Sequence, residues 1–206
     1  MSLGTTKNAG LQLSARSTQH SARLRVLLGP KAVDNEAEGG PKLMFRRTNE
    51  IASMTTLVIR SAEQADLPRL LDLYRYLDAK DTRCPSEEAV SVFEQFLRYT
   101  GSAILVGCAD GKLVASCTVV VIPNLTRGGT PYALIENVVT HADHRNQGFG
   151  KAILGAAVDR AWAEGCYKAM LMTGSKRPST LAFYEAAGFE QSKTGFQVRR
   201  MPTRSE

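Results

Sequence analysis

Apolar and polar positions follow two rhythms from Thr56 onward, one of period two and one of period 3.6. Thr56 to Arg60 alternates as a first strand. Leu67, Leu70, Leu71, Tyr74 and Leu77 recur at helical spacing, with Asp66 in the N-cap position and Pro68 in the first turn. A polar break from Asp81 to Pro85 leads to Ser86, placed to cap a second helix whose first turn carries Glu87 and Glu88. Val90, Phe93, Phe96 and Leu97 form its apolar face. Asp110-Gly111 joins two strands, Ala103 to Ala109 and Lys112 to Ile122, in a hairpin. After the loop 123–131, Tyr132 to Thr140 reads as another apolar strand, and a long helix occupies Gln147 to Glu164. Lys168 to Thr173 is a short buried strand, Pro178 to Ala187 a helix closed by Gly188, and Gly195 to Met201 a last strand. The order β-α-α-β-β-β-α-β-α-β predicts a mixed α/β fold with a single central sheet flanked by helices.

Residues 1–53 lack this periodicity, so one domain is expected over 54–206. The N-terminal segment is rich in Ser, Thr and Gly and has no acidic residue before Asp34. An organelle transit segment shares that composition, and sequence upstream of a start at Met54 is another reading. A poorly ordered extension is preferred, with a short amphipathic helix over Ser21 to Leu28 as an option.

Composition narrows the class. Apolar content of 43% and charged content of 22% suit a soluble globular domain rather than a disordered chain. No run approaches the ~18 apolar residues of a membrane span. Cys84, Cys108, Cys117 and Cys166 form no CxxC, so neither a zinc site nor a disulfide framework is expected, and reduced thiols in the cytoplasm follow. Residues 1–53 hold eight basic and four acidic side chains, and residues 54–206 eighteen and sixteen. The net charge of +6 is thus concentrated in the N-terminal segment, and no nucleic-acid partner is expected for the domain.

The stretch HADHRNQGFGKAIL, residues 141–154, marks a strand-to-helix turn. The first turn of a helix carries amides without intrahelical partners, and the helix dipole adds positive potential there. A phosphate-bearing ligand suits that end. Gly148 and Gly150 would let an anion approach the backbone, and Arg145 and Lys151 would add charge. The Walker pattern fails because Ala152 follows Lys151, and the dinucleotide fingerprint fails at Ile153. On the turn alone, a glycine-rich connection with no ligand stays open.

With its flanks, ENVVTHADHRNQGFGKAIL resembles the acetyl-CoA motif of the GNAT acyltransferase superfamily, R/Q-x-x-G-x-G/A, through Arg145, Gly148 and Gly150. LAFYEAAGFE, residues 181–190, resembles the superfamily's second signature, Phe-Tyr followed by Gly-Phe, and EGCYKAML resembles the segment before the fifth strand of glucosamine-phosphate acetyltransferases. The likeness spans Met54 to Met201 in element order. It implies the GNAT fold, with a mixed, mostly antiparallel sheet, and acetyl-CoA as co-substrate with no metal. The diphosphate would meet the turn at Arg145, Asn146, Gln147, Gly148, Phe149, Gly150 and Lys151. The pantetheine arm would pair with backbone groups of Val138, Val139 and Thr140, where the strand splays from its neighbour. Thr180 sits where some relatives place an Asn that contacts the cofactor.

Acetyl transfer needs a group to take the amine's proton and one to protonate the departing thiolate. The resemblance points Tyr184 at the thioester sulfur, and a phenol of pKa about 10 suits that task; helix packing is its plainer role. Glu136 stands in an apolar strand, where a carboxylate is costly unless paired or solvated. It is read as a base or as half of an ion pair. Alternation would set Leu134, Glu136 and Val138 on one face and Ile135, Asn137 and Val139 on the other. His141 and His144 form HxxH without an evident third ligand, so they are assigned supporting or surface roles. The acceptor region is expected from the first two helices and the loop 123–131, including Tyr74, Tyr76, Asp78, Lys80, Asp81, Arg83, Asn124 and Arg127. The C-terminal FEQSKTGFQVRR resembles the ends of aminoalkylphosphonate and amino-sugar acetyltransferases, which implies a small-molecule amine as acceptor. An acyl-CoA-binding sensor without turnover and a protein N-acetyltransferase are the other readings. Dimers are common among relatives, so a homodimer is an option that the sequence does not specify.

Overall fold

The computed structural model describes residues 23–28 and 55–200. Within them lie β1 (Leu24–Leu28), β2 (Thr55–Ser61), α1 (Leu67–Tyr74), α2 (Ser86–Phe96), β3 (Ala103–Ala109), β4 (Lys112–Ile122), β5 (Tyr132–Thr140), α3 (Phe149–Ala163), β6 (Ala169–Leu171) and α4 (Pro178–Ala186). The strands form one sheet in chain order, β1 to β6. All neighbours are antiparallel except β5 and β6, which run parallel across the α3 crossover. The mixed, mostly antiparallel sheet flanked by helices is the expected architecture.

Helices cover both faces of the sheet. Phe149, Ile153, Leu154, Ala157 and Ala161 of α3 bury one stripe against Leu57, Ile59, Leu105, Cys117, Val119, Ala133 and Ile135. On the opposite face, Leu67, Leu70 and Leu73 of α1 and Phe93 of α2 pack on Val106, Leu113 and Val139. Asp66 does not cap α1 with its side chain. Its carboxylate instead accepts from the Glu63 amide at 2.8 Å and from the Arg60 Nη2 at 2.8 Å. That guanidinium holds the buried Asp66 carboxyl below its ordinary range. Ser86 is the first helical residue of α2, and Pro85 occupies the N-cap.

Two ends depart from expectation. Leu24–Leu28 is a strand paired with β2, so the helix considered for Ser21 to Leu28 does not form there; Ser21 and Ala22 lie outside the described residues. Gly195 to Arg200 belongs to no strand, with Phe196 92% and Val198 100% exposed, and Met201 lies outside the described residues. Alternation makes a strand only where a partner edge is available, and β6, at three residues, offers little edge.

Candidate active site

The site begins with an irregularity in β5. Thr118 opposes Glu136 and Ser116 opposes Val139, so two residues of β5, Asn137 and Val138, stand against Cys117 alone. This is a β-bulge. Asn137 takes φ +53°, a left-handed conformation that Asn tolerates better than most residues. The bulge resets the alternation. Ala133 and Ile135 face α3 before it, whereas after it Val138 packs toward α3 and Val139 joins the α1 face. The expected grouping of Glu136 with Val138 on one face is therefore corrected: the extra residue reverses the parity between them.

The same stretch forms an open edge. β6 pairs with β5 only through Ala133, Leu134 and Ile135. Beyond Ile135, the segment Glu136 to Thr140 has no strand on that side among the described residues. Its outward backbone groups face a gap.

The turn at the end of that gap is built for open amides. Asn146 at φ +61° and Gly148 at φ +83° are both left-handed, and α3 begins at Phe149. The first helical bond here is from the Ala152 amide to the Gly148 carbonyl. The amides of Gln147, Gly148, Phe149, Gly150 and Lys151 donate to no group among the described residues. Side chains brace the turn from below. Arg145 Nε donates to the Thr140 carbonyl at 3.3 Å, and Gln147 Nε2 to the Asp143 carbonyl at 3.0 Å. The Phe149 ring is buried in the α3 core, so only its backbone faces outward chemistry.

The two glycines serve packing as well as approach. A Cβ on Gly150 would lie 3.1 Å from Phe183 Cζ and 3.2 Å from Thr140 Oγ1. One on Gly148 would lie 3.3 Å from Leu28 Cδ2, on a backbone that is already left-handed. Steric room for an anion is thus not the whole reason for glycine at either position: Gly150 lets α4 close against α3, and Gly148 lets the chain turn beneath β1.

Glu136 lies on β5 and Tyr184 on α4, near enough for the carboxylate's charge to act on the phenol. Burial raises the Glu136 carboxyl above its ordinary range. Burial also raises the Tyr184 phenol, and the nearby Glu136 charge raises it further. Tyr184 packs on α4 with its ring 5.1 Å from Phe183 and 6.5 Å from Phe189. No salt bridge engages Glu136 among the described residues. Thr180, at the start of α4, accepts from the Ser175 hydroxyl at 3.3 Å.

Three hydroxyls near the bulge were not singled out together by the sequence. Ser116 and Thr118 are buried on the face of β4 turned to α1, where burial also raises the Tyr74 phenol. The signal was present as two hydroxyl residues two apart in an apolar strand. In the turn after α1, the Tyr76 hydroxyl and His141 Nε2 are 2.8 Å apart, and the Asp143 amide donates to His141 Nδ1 at 3.3 Å. His141 and Tyr76 line a cleft of about 940 Å³ together with Arg69, Lys112, Asp143 and His144. His141 thus ties its loop to the turn after α1. Among the described residues no group of three or more His, Cys, Asp or Glu is gathered as for a metal ion.

The Arg127 guanidinium lies 5.6 Å from the Tyr167 ring centroid, and Tyr167 joins the start of β5 through its amide to the Pro131 carbonyl. Cys117 is buried, and burial pushes its thiol up to about 12, so it is no nucleophile. No helix among the described residues is long and apolar enough to cross a membrane.

Residues 70–189 match the model of the acetyltransferase (GNAT) family. The chain is 31% identical over 143 residues to glucosamine 6-phosphate N-acetyltransferase of Trypanosoma brucei brucei, covering 68% of this chain and 92% of that protein. A solved protein of Agrobacterium tumefaciens strain C58, assigned as an acetyltransferase, is 45% identical with a TM-score of 0.66, covering 69% of this chain and 99% of its own. The aminoglycoside N-acetyltransferase AAC(6')-Iy, solved in complex with CoA, shares the fold at 18% identity and a TM-score of 0.60, covering 73% and 99%.

Proposed function

The chain belongs to the acetyltransferase (GNAT) family, and from that premise we propose that it transfers the acetyl group of acetyl-CoA to a primary amine of a small molecule by direct attack. The observation that carries this reading is the row of five amides, Gln147 to Lys151, without partners among the described residues at the head of α3, next to the stretch of β5 that β6 does not pair. Amides and helix dipole together favour a diphosphate there. Lys151, exposed on the first turn, adds charge. Arg145 and Asn146 shape the loop, and the backbone of Val138, Val139 and Thr140 offers strand-like pairing to a pantetheine arm. Thr180 borders the arm from α4.

The amine approaches Glu136, which takes its proton as the N–C bond forms. The C–S bond breaks, and Tyr184 gives a proton to the sulfur. Both groups are held protonated to higher pH than usual, which suits a base near neutrality and an acid that must not ionise early. The small-amine acceptor is supported by the relative that acetylates glucosamine 6-phosphate. Thiol release from acetyl-CoA, followed with glucosamine 6-phosphate, an aminoglycoside and lysine peptides, tests the proposal. Turnover on a small amine is expected. Tight binding of CoA with no turnover on any amine would instead mark an acyl-CoA sensor, and turnover on peptides alone a protein acetyltransferase.

A further inference from the structure

The cleft of about 940 Å³ has Leu73 and Leu113 in its lining, which puts it on the face of the sheet that α1 covers. The amides of Gln147 to Lys151 head α3, on the opposite face. The cleft's polar lining is one-sided in what it still has to offer. Asp72 is engaged by Arg83 Nη1 at 2.6 Å. The Asp143 amide donates to His141 Nδ1 at 3.3 Å, whereas the Asp143 carboxylate, at 3.8 Å, is beyond hydrogen-bond reach of that nitrogen. An imidazole nitrogen that accepts carries no proton, so the neutral His141 ring bears its proton on Nε2. Nε2 then donates to the Tyr76 hydroxyl, 2.8 Å away, and the Tyr76 oxygen is the acceptor of that bond. The phenol's own proton is left over.

Arg69 on α1, Arg75 in the turn after it and Lys112 at the start of β4 line the same cleft, all exposed. Their side chains enter no ion pair among the described residues. Arg and Lys donate and never accept. These cations, with Asp72 neutralised by Arg83, stand against a single remaining carboxylate, that of Asp143, whose side chain is 85% exposed to solvent. The surplus calls for a dianion with several acceptor oxygens, which a phosphate monoester supplies. The volume exceeds that of a bare ion and falls in the range of small-molecule sites, roughly 300–1,000 Å³. We propose that this cleft binds a small phosphate monoester, with Tyr76 donating to the phosphate and Arg69, Arg75 and Lys112 neutralising it, at a site separate from the amide row. Two molecules could bring that group here: a free phosphorylated compound, or coenzyme A through its 3'-phosphate. The site does not depend on acetyl transfer by the chain.

Phenyl phosphate, which carries no amine, is titrated calorimetrically into the full chain at constant ionic strength and about pH 8, above the range in which imidazole is charged. Saturable one-to-one binding is expected. Tyr76→Phe should weaken it about tenfold, the loss expected for one hydrogen bond to a charged group, with Tm near wild type. Arg75→Gln and Lys112→Gln should weaken it by a similar factor. Arg98→Gln removes the same charge from an exposed position just past α2 and should leave binding unchanged. Benzoate, with the same ring and one charge fewer, should bind more weakly. Coenzyme A then sorts the source. Phenyl phosphate that still binds in its presence upholds a site for a free monoester. Displacement by coenzyme A but not by 3'-dephospho-CoA upholds the site and assigns it to the cofactor's 3'-phosphate. Displacement by both would put the ligand on the amide row and overturn the proposal. So would the absence of saturable binding, full affinity in Tyr76→Phe, equal binding of benzoate, or a loss in Arg98→Gln as large as that in Arg75→Gln.

Discussion

At the scale of single residues, the two groups proposed to move protons are set apart by what surrounds them. Burial raises the Glu136 carboxyl, so the pH at which it becomes an available base lies above that of an ordinary carboxylate. Burial and the Glu136 charge raise the Tyr184 phenol, so it keeps its proton past the ordinary phenol range. The pH profile of kcat/KM should therefore climb later than a free carboxylate would allow and fall only at strongly alkaline pH. Glu136→Gln should lose about 10²- to 10⁴-fold in kcat, the range for a positioned general base, and flatten the acid limb. Tyr184→Phe should flatten the alkaline limb while Tm holds, because the ring packing is kept. Steady-state kinetics across pH decides both; an acid limb unchanged in Glu136→Gln would assign that proton elsewhere. These residues were legible in the sequence because a carboxylate amid apolar positions and a Phe-Tyr pair are local features. The Tyr74, Ser116 and Thr118 grouping was not, since it joins a helix to a strand more than 40 positions away.

At the scale of elements, periodicity carried the four helices and the central strands β2 to β6 to within a few residues. It could not carry the bulge. One extra residue in β5 leaves the apolar content of the strand unchanged and reverses only which side chains point where. Position 137 held the one local sign, an Asn that accepts a left-handed φ. The last strand was misread for the opposite reason, because its alternation is real but its partner edge is missing. The start of α3 shows how two elements fix one residue. Gly150 is half-buried between Phe183 of α4 and Thr140 at the end of β5. Gly150→Ala should cost about 1–3 kcal/mol, typical of overpacking, because the ring and the threonine must both give way to the new methyl. Urea denaturation measures it. A variant as stable as wild type would show that α4 can slide, and that the Phe183 contact does not set the width of the gap.

At the scale of the whole molecule, the sheet is completed by a strand from the segment expected to lie outside the domain. Three alternating positions, Leu24, Val26 and Leu28, with a further Leu between the last two, are too short a run to separate strand from helix by period. Paired along β2, that run places Val26 and Leu28 half-buried against the α3 core and leaves Leu24 and Leu27 exposed. Leu28 also stands over Gly148, at the head of α3, so the same strand that closes the sheet edge borders the proposed diphosphate site. A chain begun at Met54 would lose both contributions. Two half-buried aliphatic side chains correspond to about 2 kcal/mol, roughly half the worth of full burial for each. The shortened protein should therefore unfold at a lower temperature. It should also bind CoA more weakly than its lost stability alone would explain, because the turn at Gly148 has lost its cover. Thermal denaturation with and without CoA separates the two effects. An unaltered Tm would make β1 an ornament of the sheet edge, whereas a lowered Tm with an unaltered CoA-induced shift would confine its role to the core and leave the turn self-supporting.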